Sequence, residues 1–262
     1  MIRGLYTAAS GMTAQQQNID VISNNIANVN TTGFKQDRAE FQDLMYQSLN
    51  YTAGATSSQT SNPTGIDVGL GVRTSGIQKN FSQGSLKDTG NKLDIAITGD
   101  GFFKLNTPSG ETVYSRDGSF KLDSEGNIVN GQGYTLDPQI TFPVGTTKIS
   151  IGEDGIIKAI PPGERSATTY GQLTLATFIN PAGLSPLGNN LYSKNNTSGD
   201  EVIALPGQNG IGAVKQGMLE TSNVQLVTEM VNLIAAQRAY ESNSKSITTT
   251  DTMLQTVNQL KK

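Results

Sequence analysis

Two lines of apolar residues, each spaced by sevens, stand at opposite ends of this 262-residue chain and limit what it can become. Near the start, Leu5, Met12, Ile19 and Ile26 form one row, with Ala8, Ile22 and Val29 three residues after members of it. Near the end, Leu226, Leu233, Tyr240, Ile247 and Leu254 form another. A seven-residue repeat keeps one stripe of a helix turned toward a partner helix, so each row predicts a helix with a coiled-coil-like seam. Both stripes are narrow. Gln15 enters the second row of the first helix, and the row that Met230 begins turns polar at Gln237, Ser244 and Asp251. So thin a stripe is not buried by one helix alone. The two helices are therefore expected to pair with each other and to face neighbouring copies; the alternative is a helical hairpin closed within one molecule. Ser222, followed three residues later by Gln225, fits a capping box at the start of the second helix.

Between the helices the texture changes twice. Residues 42–83 are rich in Ser, Thr, Gly and Gln and lack apolar periodicity, which reads as an extended arm or linker. Residues 84–217 alternate short apolar runs with Gly-containing turns: Leu93, Ile95 and Ile97 alternate with Asp94 and Ala96, and Asp117-Gly118 and Glu125-Gly126-Asn127 are hairpin signals. The expected fold is mixed α and β. Helical segments at 1–41 and 218–262 pair like a coiled coil, an arm occupies 42–83, and an all-β domain of antiparallel hairpins occupies 84–217.

Composition removes several function classes. The chain has no His, Cys or Trp, which takes away the common zinc, haem and thiol chemistries and the usual general base near neutral pH. A net charge of −3 offers no basic field for nucleic acid. No apolar run is long enough to span a bilayer as a helix, so no membrane insertion is expected, and the N-terminus has no apolar core of a cleaved signal peptide. Gly69 to Gly76 approaches the spacing of a phosphate loop without a strand-to-helix transition around it. Asp94 with Asp100, or Glu153 with Asp154, would be the acids of a surface glycan hydrolase, the rival reading; all sit in or beside turns where Asp and Glu serve the backbone. No catalytic residue, metal site or cofactor is expected.

The segments "LYTAASGMTAQQQNIDVISNNIANVNTTGFKQDRAEFQDLMYQ" and "GMLETSNVQLVTEMVNLIAAQRAYESNSKSITTTDTMLQ" resemble the terminal signatures of the bacterial flagellar axial proteins, the rod and hook subunits. "DIAITGDGFFKL", "YSRDGSFKLDSEGNIV" and "GQLTLATFINPAGLSPLGNNLY" resemble that family's central domain, so the similarity covers nearly the whole chain. The resemblance implies many copies stacked helically into a straight, hollow rod that crosses the periplasm and passes motor torque to the hook. Export through the flagellar type III apparatus without a cleaved signal is implied too. Proximal rod proteins would lie below, the hook protein above and ring proteins around. Length and the long arm after Tyr46 favour the distal part of the rod, with a proximal rod or hook-like subunit as the alternative. The assembly interface would be the two seven-spaced rows with Ile22, Asn25, Asn28 and Val29 on the first helix and Met230 on the second. In "NNIANVNTTGFK", the amides of Asn24, Asn25, Asn28 and Asn30 are expected between close-packed helices, and Gly33 is expected to turn the chain out of the helix.

Overall fold

The computed structural model describes residues 2–50, 55–57, 60–61, 66–143, 145–146, 148–163, 166–208 and 210–260. It is mixed α and β, with helices α1 (Ile2–Ala27) and α2 (Leu226–Leu260) at the two ends and antiparallel strands between. The chain divides into two compact units: Met1–Ile26, Asp37–Gln78 and Gln225–Lys262 form the first, and Ala27–Gln36 with Lys79–Val224 the second.

In the first unit the two helices pack together. The hydrogen-bond ladder of α2 begins where Glu229 N donates to Gln225 O at 3.0 Å. The expected capping box does not form. Ser222 Oγ instead accepts from Val224 N at 3.2 Å, which closes a turn before the helix. Helical backbone starts at Leu226, so Ser222 lies too far upstream to satisfy the first free N–H groups. Farther along, the run Thr248–Thr250 would be a weak helix former, and its hydroxyls bond back to the preceding turn, Thr249 Oγ1 to Lys245 O and Thr250 Oγ1 to Ser246 O, both at 2.8 Å.

The span 42–83 carries nested strand pairs in its described part. Asp37–Asp43 pairs with Val72–Lys79, Tyr46–Asn50 pairs antiparallel with Ile66–Gly69, and Ala55–Ser57 with Thr60–Ser61; residues 51–54, 58–59 and 62–65 lie outside the described residues. A polar segment without periodicity still forms a ladder, because pairing satisfies main-chain N–H and C=O groups whatever the side chains are. This ribbon is tied to α1 where Val72 N donates to Ser10 Oγ at 3.3 Å and Thr74 Oγ1 donates to Gln17 Oε1.

The second unit is built on Phe102–Asn106. That strand pairs with Thr112–Ser115 on one side and, end to end on the other, with Thr135–Leu136 and Leu175–Thr177. Ladders through Leu191–Ser193, Ile128–Val129 and Val202–Ala204 extend the sheet to nine strands among the described residues. Period-two alternation divides the core between the sheet's faces. Phe103, Leu105 and Val113 bury on one side with Ile97, Phe120 and Ile157, while Phe102, Tyr114 and Tyr192 bury on the other with Phe178. Phe103 and Phe120 meet edge to face at 5.1 Å. The hairpin signal near Glu125-Gly126-Asn127 holds: Lys121–Leu122 and Ile128–Val129 pair across it, and Gly126 takes φ +82°. The signal at Asp117-Gly118 does not. Thr112–Ser115 pairs with Leu191–Ser193 and Phe102–Asn106, and Gly118 O instead accepts from Ile95 N at 3.0 Å. The turn signal was outweighed there by the preceding hairpin with Phe102–Asn106 and by pairing with the distant Leu191–Ser193.

Candidate functional site

Among the described residues, α1 buries Ala8, Ala14, Val21, Ile22 and Asn25, and α2 buries Glu229 and Ala236. Small residues let helix backbones approach. A Cβ on Gly11 would stand 2.8 Å from Asn243 Nδ2, closer than such atoms ordinarily come. Leu233, Asn243, Ile247, Thr250 and Leu254 are half-buried and continue the line that Glu229 and Ala236 mark, in steps of three, four or seven. Of the expected α2 row, Leu233, Ile247 and Leu254 therefore lie on the packed side, whereas Leu226 and Tyr240 are each 39% exposed. On α1 the row Leu5, Met12, Ile19 and Ile26 is half-buried, Ile22 and Asn25 are buried, and Asn28 and Val29 are half-buried just after the helix. The second α2 row runs through Glu229, Ala236, Asn243 and Thr250 rather than from Met230. Apolar periodicity points past such a row; the spacing of Ala236 and Asn243 by seven was the available signal.

Away from that line α2 shows a second apolar face. Val227, Met230, Val231 and Ile234 are 76%, 48%, 60% and 51% exposed at spacing i, i+3, i+4, i+7, and Met253, Val257 and Leu260 form a similar exposed group near the end.

The asparagine-rich stretch has assigned bonds inside the chain. Asn25 Nδ2 donates to Asp37 O, and its Oδ1 accepts from Asp37 N, both at 2.8 Å. Asn28 Oδ1 accepts from Thr31 Oγ1 at 3.1 Å, which tightens the turn after α1. Gly33 takes φ +67° as the chain reverses, and its N–H donates to Glu220 O at 2.9 Å. Asn223 Oδ1 accepts from Gln36 N at 2.8 Å while its Nδ2 donates to Asn80 O at 2.8 Å.

Sequence reasoning missed a buried ionic cluster in the second unit. Glu220 accepts from Lys35 Nζ at 2.8 Å, from Arg116 Nε at 2.6 Å and from Gly84 N at 2.8 Å. Lys35 also donates to Ser82 O at 2.8 Å, and the Arg116 guanidinium donates to Gly99 O and Gly101 O. All three charged residues are no more than 4% exposed. Burial alone would raise the Glu220 carboxyl, but Arg116 and Lys35 outweigh it and hold the group below its ordinary 4.5. Burial pushes the Lys35 ammonium below its ordinary 10.5 in spite of Glu220, because Arg116 shares that carboxylate and opposes the lysine's charge. A cleft of about 220 Å³ lies beside the cluster, walled by Phe81, Phe102, Phe178 and Pro181, with Asp100 among its lining residues. No local pattern announces the cluster, since its members are separated by 104 and 185 positions.

Of the acids of the rival hydrolase reading, Asp94 and Asp154 serve turns and loops. Asp94 accepts from Thr89 Oγ1 at 2.6 Å and Asn91 Nδ2 at 2.8 Å, and Asp154 Oδ1 accepts from Ile156 N at 3.1 Å. Gly69 to Gly76 runs from the end of one strand into another, with no helix after it.

Three stretches match known families: residues 5–35 the flagella basal body rod protein, 96–159 the flagellar hook protein FlgE/F/G D1 domain, and 215–260 the flagellar basal body rod FlgEFG protein C-terminal. The chain is 48% identical to the flagellar basal-body rod protein FlgG of Borreliella burgdorferi, with all of both chains covered. It is 47% identical to FlgG of Caulobacter vibrioides over 99% of this chain and 100% of that one. Against FlgF of the same bacterium identity is 35%, over 95% and 94%. Full-length similarity, matched terminal and central segments and the closer likeness to FlgG within one organism agree, and the chain belongs to the FlgG family of flagellar basal-body rod proteins.

Proposed function

We propose that this non-enzymatic structural subunit of the flagellar basal body polymerises helically into the straight, hollow distal part of the rod and there transmits torque from motor to hook. The observation that carries this reading is the second apolar face of α2, Val227, Met230, Val231 and Ile234, which the chain itself leaves exposed. Soluble monomers rarely leave a contiguous apolar stripe open to water, whereas a polymer covers it at every subunit. Burial against a neighbour contributes about 1.5–3 kcal/mol per large side chain, and repetition along the rod multiplies it. The sequence rows from Leu5 to Val29 and from Leu226 to Leu254 then serve both as the seam within a subunit and as its border with the next.

Proximal rod proteins below, the hook protein above and ring proteins around are the neighbours this reading requires. It also places the chain across the periplasm after export without a cleaved signal. Labelling purified basal bodies with an antibody to this chain tests the position. Label along the distal rod is expected; label confined to the proximal rod or the hook overturns the distal assignment in favour of the related subunits.

A further inference from the structure

Glu220 stands at the end of the second unit's chain and supplies the counter-charge for two cations that precede it. Lys35 comes 185 residues earlier and Arg116 comes 104 residues earlier, yet both donate to this one carboxylate. Gly84 N donates to the same Oε1 as Lys35, and Gly33 N donates to the Glu220 main-chain oxygen. Gly33, Lys35, Gly84 and Arg116 thus converge on a single late residue, and through Arg116 and Lys35 the carbonyls of Gly99, Gly101 and Ser82 are drawn in behind them. Phe102–Asn106 and Thr112–Ser115 pair as a hairpin without a bond to Lys35 or Glu220, and the core around Phe103, Leu105 and Val113 is apolar.

We infer that Glu220 is a closing latch: residues 27–36 dock onto the second unit only after residues 218–222 are in place, so the first-made segment of the unit is the last to fold. The reason is electrostatic. Lys35 is 1% exposed and Arg116 4% in the closed unit. Without Glu220, docking residues 33–36 would bring a second positive charge beside a first with no anion buried between them, and burial of unpaired charge is strongly opposed. Ser82 O, Gly99 O and Gly101 O accept hydrogen bonds but bring no negative charge. Asp100 lies at the cleft and is exposed, and its pull on Lys35 is weaker than that of Glu220. The ladder between Met218–Glu220 and Leu86–Asp88 then fixes the carboxylate in position, and the main-chain bond from Gly33 follows from the same placement.

The order of folding belongs to the chain itself; only its use rests on the rod reading. For a subunit threaded unfolded and amino end first, the latch keeps residues 27–36 undocked until residue 220 has emerged. Failure of the latch is visible in purified protein, and failure of the rod reading in the position of the label on basal bodies.

The test is pulse-labelling hydrogen exchange during refolding of the full-length chain, read by mass spectrometry. Amides of residues 31–36 should gain protection no earlier than those of 218–221 and after those of 102–115. Protection of 31–36 before 218–221 overturns the latch. The equilibrium counterpart uses Glu220→Gln, which keeps size and removes the charge. Exchange in 31–36 and 82–84 should rise by about tenfold or more while 102–115 stays protected. Unchanged protection of 31–36 in that variant, or equal loss throughout the unit, also overturns the proposal.

Discussion

Asn25 pairs with Asp37 as one strand pairs with another: its amide donates to the Asp37 carbonyl and accepts from the Asp37 N–H, each at 2.8 Å, while the side chain is 1% exposed. A side chain on α1 thereby takes the place of a missing ladder partner at the first residue of strand Asp37–Asp43. Only an amide carries a donor and an acceptor in that geometry.

Asn25→Asp should therefore be worse than its size suggests. It keeps an acceptor for Asp37 N but loses the donor to Asp37 O and adds a buried charge, and a cost of about 2–3 kcal/mol is expected. Asn25→Gln, with the same groups one carbon farther out, should recover only part of it. Urea unfolding of the full chain measures both; an Asp variant as stable as the parent would show that the pairing is incidental.

Gly33 and Gly11 should respond differently to alanine. A Cβ at Gly33 would lie 2.9 Å from Asp117 N and 3.0 Å from Arg116 C, both main-chain atoms, on a residue already at φ +67°. Gly33→Ala should cost about 2 kcal/mol or more from the backbone conformation and the clash together. At Gly11 the obstacle is the tip of the Asn243 side chain, which can swing aside. The helix propensity gained by alanine is about 1 kcal/mol, so Gly11→Ala should be near neutral, whereas Gly11→Leu should separate the helices. Circular dichroism melts of the three variants decide the ranking.

Acid should weaken the second unit through Glu220. Its folded-state pKa lies below the unfolded value near 4.5, so the folded carboxyl binds fewer protons than the unfolded one in that window. The stability it contributes is fully present above 4.5 and is lost as pH falls from there through the folded value. Glu220→Gln removes the titrating group. That variant should lose at neutral pH chiefly the docking of residues 31–36, about 1.4 kcal/mol or more, and decline less steeply on acidification. Urea midpoints against pH for parent and variant give the comparison, and parallel acid limbs would assign the decline to other carboxylates.

The two faces of α2 should separate folding from assembly. Val231→Asp or Ile234→Asp alters the exposed stripe, so the monomer's melting should be almost unchanged while each variant forfeits about 1.5–3 kcal/mol per intersubunit contact. Leu233→Asp, on the half-buried side, should also loosen the helix pair within one chain. Polymer length by electron microscopy, with melting of the same samples, distinguishes them. Normal rods from Ile234→Asp would assign the stripe to solvent.

The repeating features of this chain were legible in its sequence. Terminal helices with sevenfold spacing, a central domain of alternating strands and the turn at Gly126 each depend on residues within a few positions of one another, and those relations hold wherever the segment is placed. Leu233, Ile247 and Leu254 could be assigned to a packed line for the same reason. Tertiary structure alone decided what depends on distance. Asp117-Gly118 failed as a hairpin because Thr112–Ser115, already paired with Phe102–Asn106, found its other partner at the distant Leu191–Ser193. Ala236 and Asn243 faced inward because helix backbones close on small side chains, a preference that apolar periodicity does not register. Lys35, Arg116 and Glu220 look like ordinary surface charges along the chain. They are buried together because the closed unit brings two cations to one carboxylate, and only in that geometry does attraction offset the loss of water.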